Sequence, residues 1–169
     1  MNTAWFGIRV KSRSEARAAD ELSMRGFEAF LPARRIKRRW SDRTKAVDEP
    51  LFPGYLFCRC RRPDRLRILN SPGRAYIVGF GDTPIPISDT EIGAIKTMIA
   101  SKVMLTPWPY LQAGQRVWID RGPLAGLEGL IVEAKRGNPR LVVSVNLLQR
   151  SVAAEIERDW IGSLKYSPG

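Results

Sequence analysis

The sequence predicts a two-part protein: an α/β domain of about four strands and two principal helices, followed by a small all-β barrel. Three observations predict it. Residues 1–101 combine strand-like runs with two helical segments that carry capping signals. Residues 102–111 hold Pro107 and Pro109 without any periodicity and read as a linker. From 112 to 169 the apolar residues fall into short β-rich runs separated by glycine-bearing turns. That last part is 58 residues long, a size at which a domain folds alone with little to spare.

The elements follow in order. AWFGIRV alternates as a strand does, and SRSEARAADELSMRG reads as a helix. Ser12 and Glu15 have capping-box spacing, Gly26 suits the position just past the helix end, and Ala16, Ala19 and Leu22 form a narrow apolar stripe. RIKRRW and TKAVDEP read as the arms of a hairpin turned by SDRTK, its tip carrying Arg34, Arg35, Lys37, Arg38, Arg39, Arg43 and Lys45. Beyond Pro53-Gly54 comes a strand with two apolar faces, Tyr55 and Phe57 on one and Leu56, Cys58 and Cys60 on the other. PDRLRILN suggests a short helix, AYIVGF another strand, and TEIGAIKTMIA a longer helix. Ser88 and Glu91 cap that helix, and Ile92, Ile95, Met98 and Ile99 form its apolar face. RVWID, LIVEA, RLVVSVNL and SVAAEIE supply the strands of the barrel.

Composition narrows the function. With 44% hydrophobic and 27% charged residues the chain should fold as a globular protein. No apolar run approaches the roughly 20 residues of a membrane span, and MNTAWFGIRVK has no signal-peptide core, so a cytoplasmic protein without membrane contact is expected. Cys58 and Cys60 sit on one strand face, where they cannot meet in a disulfide; with no histidine in the chain, no metal site is expected. Residues 1–75 hold 18 Lys and Arg against 8 Asp and Glu, almost the whole of the chain's net +11. A surplus confined to one region is the signature of a surface that follows phosphates. No histidine base, phosphate loop or nucleophile–base pair is present, which argues against an enzyme and leaves no cofactor to expect.

The early Trp5 strand, LFPGYLF at 51–57, the SPGRAYIVGFG and PIPISDTEIGAI patterns and the turn AGQRVWIDRGPLAGLEGLIVEA come in one order and spacing. Together they resemble the NusG family of transcription elongation factors over nearly the whole chain. The resemblance implies an α/β NGN domain over 1–101, an antiparallel sheet with flanking helices, and a small all-β, SH3-like KOW barrel over 112–169. It implies RNA polymerase binding through Phe52, Tyr55, Phe57, Ile92 and Ile95 against the clamp helices, with Leu56 and Cys58 turned to the protein's own helices. It also implies upstream or non-template DNA near Arg34, Arg35, Arg38 and Arg39, with Lys11, Arg13 and Arg17 as a second group. The action implied is mechanical: a monomer bridging the polymerase suppresses pausing and termination and raises processivity.

Gly122, Gly126 and Gly129 stand in the KOW-like turn, where tight geometry or close backbone approach needs glycine. In the family the KOW domain contacts a ribosomal protein or the termination factor Rho. Leu124 and Leu148, the partner-contact positions that the resemblance implies, stand where general NusG proteins commonly carry phenylalanine, which argues against Rho binding. DEPLFPGYLF and LLQRSV look closer to specialised paralogs, which favours a specialised antiterminator over a housekeeping factor linking polymerase to Rho or the ribosome. A different class of reading is a ribosome-associated RNA-binding protein, in which Tyr55 and Phe57 stack on bases.

Overall fold

The computed structural model describes residues 2–61, 76–80 and 83–162. The chain divides into two compact units, 1–92 and 93–169. The short helix expected over 63–70 lies outside the described residues.

The first unit is built on a four-stranded antiparallel sheet in which β2 (Glu28–Phe30), β5 (Tyr55–Cys60), β1 (Ala4–Arg9) and β6 (Tyr76–Ile77) lie side by side in that order. Helix α1 (Glu15–Met24) covers one face. Phe6, Ile8, Leu56, Cys58 and Cys60 from the central strands meet Ala18 and Leu22 of the helix in one buried cluster. The expected division of β5 holds on this side: its even-numbered positions face the protein's own helix, and neither cysteine is disulfide-bonded.

The two ends of α1 differ from each other in how they were foreseen. At its C-terminus Gly26 takes φ 89°, Gly26 N–H donates to the Ser23 carbonyl and Phe27 N–H to that of Leu22. This double bond is a Schellman motif, and Phe27 and Leu22 add its apolar contact within the core. At the N-terminus the Ser12 cap is not formed. Arg13 turns left-handed (φ 71°), the helix begins at Glu15 with Ser14 in the cap position, and the Glu15 carboxylate accepts from Arg13 N–H at 2.6 Å. The buried stripe accordingly runs through Ala18 and Leu22, and Ala16 is exposed.

Two further pairs of strands complete this unit: the hairpin β3 (Ala33–Trp40) and β4 (Arg43–Pro50), and the short pair β7 (Gly79–Phe80) and β8 (Thr83–Pro84). Helix α2 (Asp89–Ala100) starts as expected, Ser88 Oγ accepting from Glu91 N–H at 3.2 Å, and the division between the units falls within it. Ile92, Ile95 and Met98 on its apolar face are buried.

The second unit carries a five-stranded antiparallel sheet: β10 (Gln115–Trp118), β11 (Glu128–Val132), β12 (Arg140–Val145), β13 (Arg150–Glu155) and β9 (Leu105–Trp108), in that order. Part of the expected linker is therefore a strand of this sheet. β9 pairs with β13 from Leu105↔Ala154 to Trp108↔Ser151. Its Pro107 hid it from a reading of periodicity, but an edge strand tolerates the missing N–H. The segment after β9 is pinned as well: Ser144 Oγ donates to the Leu111 carbonyl at 2.8 Å, and Leu111 N–H donates to Ser151 Oγ at 3.2 Å.

Candidate functional site

The second apolar face of β5 starts from a turn. Phe52 carbonyl accepts from Tyr55 N–H at 2.9 Å across Pro53 and Gly54, with Gly54 at φ 84°. Proline at the first central position and a left-handed glycine at the second make this a type II turn. The turn folds Phe52 back against its own strand, where its ring meets that of Phe57 edge-on, centroids 5.5 Å apart. Phe30, from the neighbouring β2, lies 6.0 Å from Phe57 on the cross-strand register, and Trp5 of β1 lies 6.3 Å from Phe30. Opposite Phe57 on β1 stands Gly7. At the end of the row Arg9 Nη1 donates to Tyr55 Oη at 3.0 Å.

The face opposite α1 is thus a continuous aromatic row across three strands. Phe52 and Phe57 are fully buried and Tyr55 is 7% exposed, so the residues expected to face a partner are brought together, but as a closed cluster. Ile92 and Ile95, expected to extend the patch, are buried on one face of α2. The sequence reading missed Phe30, because a three-residue strand is too short for its alternation to register.

The hairpin is a second, different surface. Its register runs from Ala33↔Pro50 to Trp40↔Arg43, so directly opposed residues share a face. One face carries Arg34, Ile36, Arg38 and Trp40 opposite Glu49, Val47, Lys45 and Arg43; the other carries Arg35, Lys37 and Arg39 opposite Asp48, Ala46 and Thr44. Near the base Glu49 accepts from Arg34 Nε at 2.8 Å and lies 3.7 Å from Arg38 Nη2. Toward the tip the cations outnumber the acids. Arg35, Lys37, Arg38, Arg39, Arg43 and Lys45 are all exposed, with Asp42 in the turn. Lys11, Arg13 and Arg17 are exposed too, on a different element, at the start of α1.

In the second unit each turn glycine has its own reason. Gly122 and Gly126 take φ 78° and 96°, and a Cβ on Gly122 would stand 2.7 Å from the Trp160 indole. Gly129 lies in β11 where a Cβ would meet the Val142 carbonyl oxygen at 2.7 Å. Leu124 and Leu148 are buried, at 0% and 4% exposure, whereas Trp118 on β10 is half exposed. Glu133 and Arg158 form a two-pronged ion pair with contacts of 2.9 and 2.6 Å. Hydrogen bonding from the guanidinium holds the Glu133 carboxyl below its ordinary range and raises Arg158 in turn. Among the described residues no group of three or more His, Cys, Asp and Glu is placed to hold a metal ion, and no helix is long and apolar enough to cross a membrane.

With this geometry in view, the chain is similar to proteins of one kind. The family model described as NusG, transcription termination factor nusG, matches residues 3–96. The transcription termination/antitermination protein NusG of Vibrio vulnificus is 28% identical over 167 residues, spanning 90% of this chain and 91% of that protein. The protein of the same description from Escherichia coli K12 is 26% identical, spanning 90% and 92%. A solved structure concerned with domain interaction in Thermotoga maritima NusG superposes with a TM-score of 0.57 over 98% of this chain and 99% of that one; at 19% identity this likeness shows the fold.

Proposed function

This chain belongs to the NusG family of transcription factors, and from that premise we propose how it acts: its first unit binds RNA polymerase through the aromatic sheet face, and its basic hairpin lies along upstream or non-template DNA. The observation that carries the reading is the aromatic row Trp5–Phe30–Phe57–Phe52 with Tyr55 beside it. Aromatic side chains clustered at the centre of a patch are the residues that most often dominate a protein interface. The clamp helices of the polymerase are the partner surface, and Ile92 of the same unit extends the patch. Since Phe52, Tyr55 and Phe57 are buried, the complex requires this face to be uncovered. A factor fixed there favours the elongating state by its differential affinity for it, which suppresses pausing and termination.

The five-stranded sheet of the second unit is read as a KOW barrel, an assignment supported by Gly122 and Gly126 in the turn, by Gly129 in β11 and by the bridge between Ile119 and Ile161. Its partner is a ribosomal protein or Rho. Leucine at 124 and 148, where the family commonly has phenylalanine, argues for weak Rho contact, and the DEPLFPGYLF and LLQRSV stretches favour a specialised antiterminator.

The test is a titration of the full chain against core polymerase. Tyr55→Ala with Phe57→Ala, shown to be folded by circular dichroism, should lose stable binding, each aromatic contributing at least about 2 kcal/mol at a hot spot. Unchanged affinity of the folded variant would remove the aromatic face from the mechanism.

A further inference from the structure

The exposed indole at the end of the basic hairpin has no role in either surface so far. Trp40 is the last residue of β3, and half of its surface is open to solvent. One contact supports it: Lys45 Nζ lies 5.8 Å from the ring centroid, diagonally across from the Trp40↔Arg43 pair. Arg38, Arg43 and Lys45 share its face of the hairpin, and Arg35, Lys37 and Arg39 line the reverse. The hairpin forms its own two-stranded sheet, outside the hydrogen-bonded order of the main one.

We propose that Trp40 is a stacking platform for an unpaired base, and that the cations around it hold the phosphates on either side, making the hairpin tip a single-strand binding site. This rests on the reading of the hairpin as the nucleic-acid surface and adds to it a residue and a preference. The charge complementarity is with a polyanion, because Asp42 is the one acid among residues 38–45 against four cations, Arg38, Arg39, Arg43 and Lys45. The indole decides between forms of that polyanion. In a duplex the bases are already stacked on one another and a tryptophan gains access only by prising a step apart; in a single strand each base offers a free π-face. A ring steadied by a lysine is also ordered in advance, so little rotamer freedom is lost when a base arrives. Single-stranded DNA and RNA share this chemistry.

The test measures fluorescence anisotropy of labelled oligo-dT, oligo-rU and a duplex of equal length with the full-length protein over a range of salt concentrations. The variants are Trp40→Leu, Trp40→Phe, and Arg35→Gln with Lys37→Gln and Arg39→Gln. Trp40→Leu, which keeps an apolar side chain at the hairpin end, should weaken single-strand binding by about 5- to 150-fold, the range of one stacked base, with the salt slope and duplex binding unchanged. Trp40→Phe should restore most of the loss. The relative affinity for the two single strands then assigns the source, DNA or RNA. Equal single-strand affinity of Trp40→Leu and the parent overturns the stacking role, and so does an equal loss on single strand and duplex. The triple glutamine variant reports on the underlying reading separately: a flatter salt slope on every probe supports phosphate contact, and an unchanged slope overturns that reading whatever Trp40 does.

Discussion

Gly129 and Gly126 are three residues apart and need glycine for different reasons, which makes them separable by substitution. A methyl group on Gly129 meets a backbone carbonyl at 2.7 Å, and a carbonyl held in the β11–β12 ladder cannot swing aside as a side chain can. Gly129→Ala should therefore cost about 1–3 kcal/mol in denaturant unfolding, the range for forced overpacking. A Cβ added to Gly126 would meet nothing within 4 Å, so there the whole cost is the left-handed backbone at φ 96°. Gly126→Ala should cost about 1–2 kcal/mol and Gly126→Asn less, since asparagine tolerates positive φ. Equal costs for alanine and asparagine at 126 would refute the conformational account. Tyr55 offers a third contrast: Tyr55→Phe removes the acceptor of the Arg9 hydrogen bond and keeps the ring. Stability should fall by about 0.5–1.5 kcal/mol while polymerase affinity stays near that of the parent, if the ring and not the hydroxyl is what the partner meets.

At the scale of elements, the ion pair between Glu133, just after β11, and Arg158, in the turn after β13, ties two separate stretches of the second unit. The Glu133 carboxyl is depressed in the folded protein, so its contribution is present above the ordinary glutamate value of about 4.3 and is lost as pH falls through the lower folded value. Arg158, raised, stays charged throughout. Both side chains are well exposed, so Glu133→Gln should show only a small drop in melting temperature at neutral pH, and the gap should close in acid and shrink with salt. A gap that persists at low pH would mean that the glutamate acts by packing. Elements with local signals were the legible ones. The Gly26 helix stop, the Ser88 cap and the hairpin around residues 41–42 are each set by residues within a few positions, and all three are found. The start of α1 differs by two residues from the expectation because Ser12 and Ser14 offer competing caps, and the left-handed Arg13 between them decides for Ser14. β9 was illegible for a different reason: its strand character comes from β13, more than 40 residues away, and not from its own Pro-rich sequence. The aromatic row was partly legible, since Tyr55 and Phe57 announce themselves by alternation on β5 and Phe52 is implied by the resemblance, while Phe30 joins only through tertiary packing.

For the molecule as a whole, the proposed function gives the chain two kinds of attraction to one transcription complex, and salt separates them. Apolar contact between aromatic rings and a protein partner is nearly indifferent to ionic strength, whereas each phosphate contact releases a counterion and weakens as salt rises. Arg35, Lys37, Arg38 and Arg39 are exposed on the hairpin, and replacing all four by glutamine should flatten the slope of log affinity against log salt by about 0.9 for each duplex phosphate contact removed. In a titration of polymerase carrying a transcription bubble, this variant should bind less tightly than the parent at low salt and converge with it at high salt. The Tyr55→Ala, Phe57→Ala variant should show the opposite pattern, a deficit that stays constant across the range. Combining the two sets should give additive losses, because the hairpin is a sheet of its own, outside the hydrogen-bonded strand order that carries the aromatic row. Should the aromatic deficit itself vanish at high salt, the rings would be acting through nucleic acid, and the division of labour between sheet face and hairpin would have to be redrawn with base stacking at Tyr55 and Phe57.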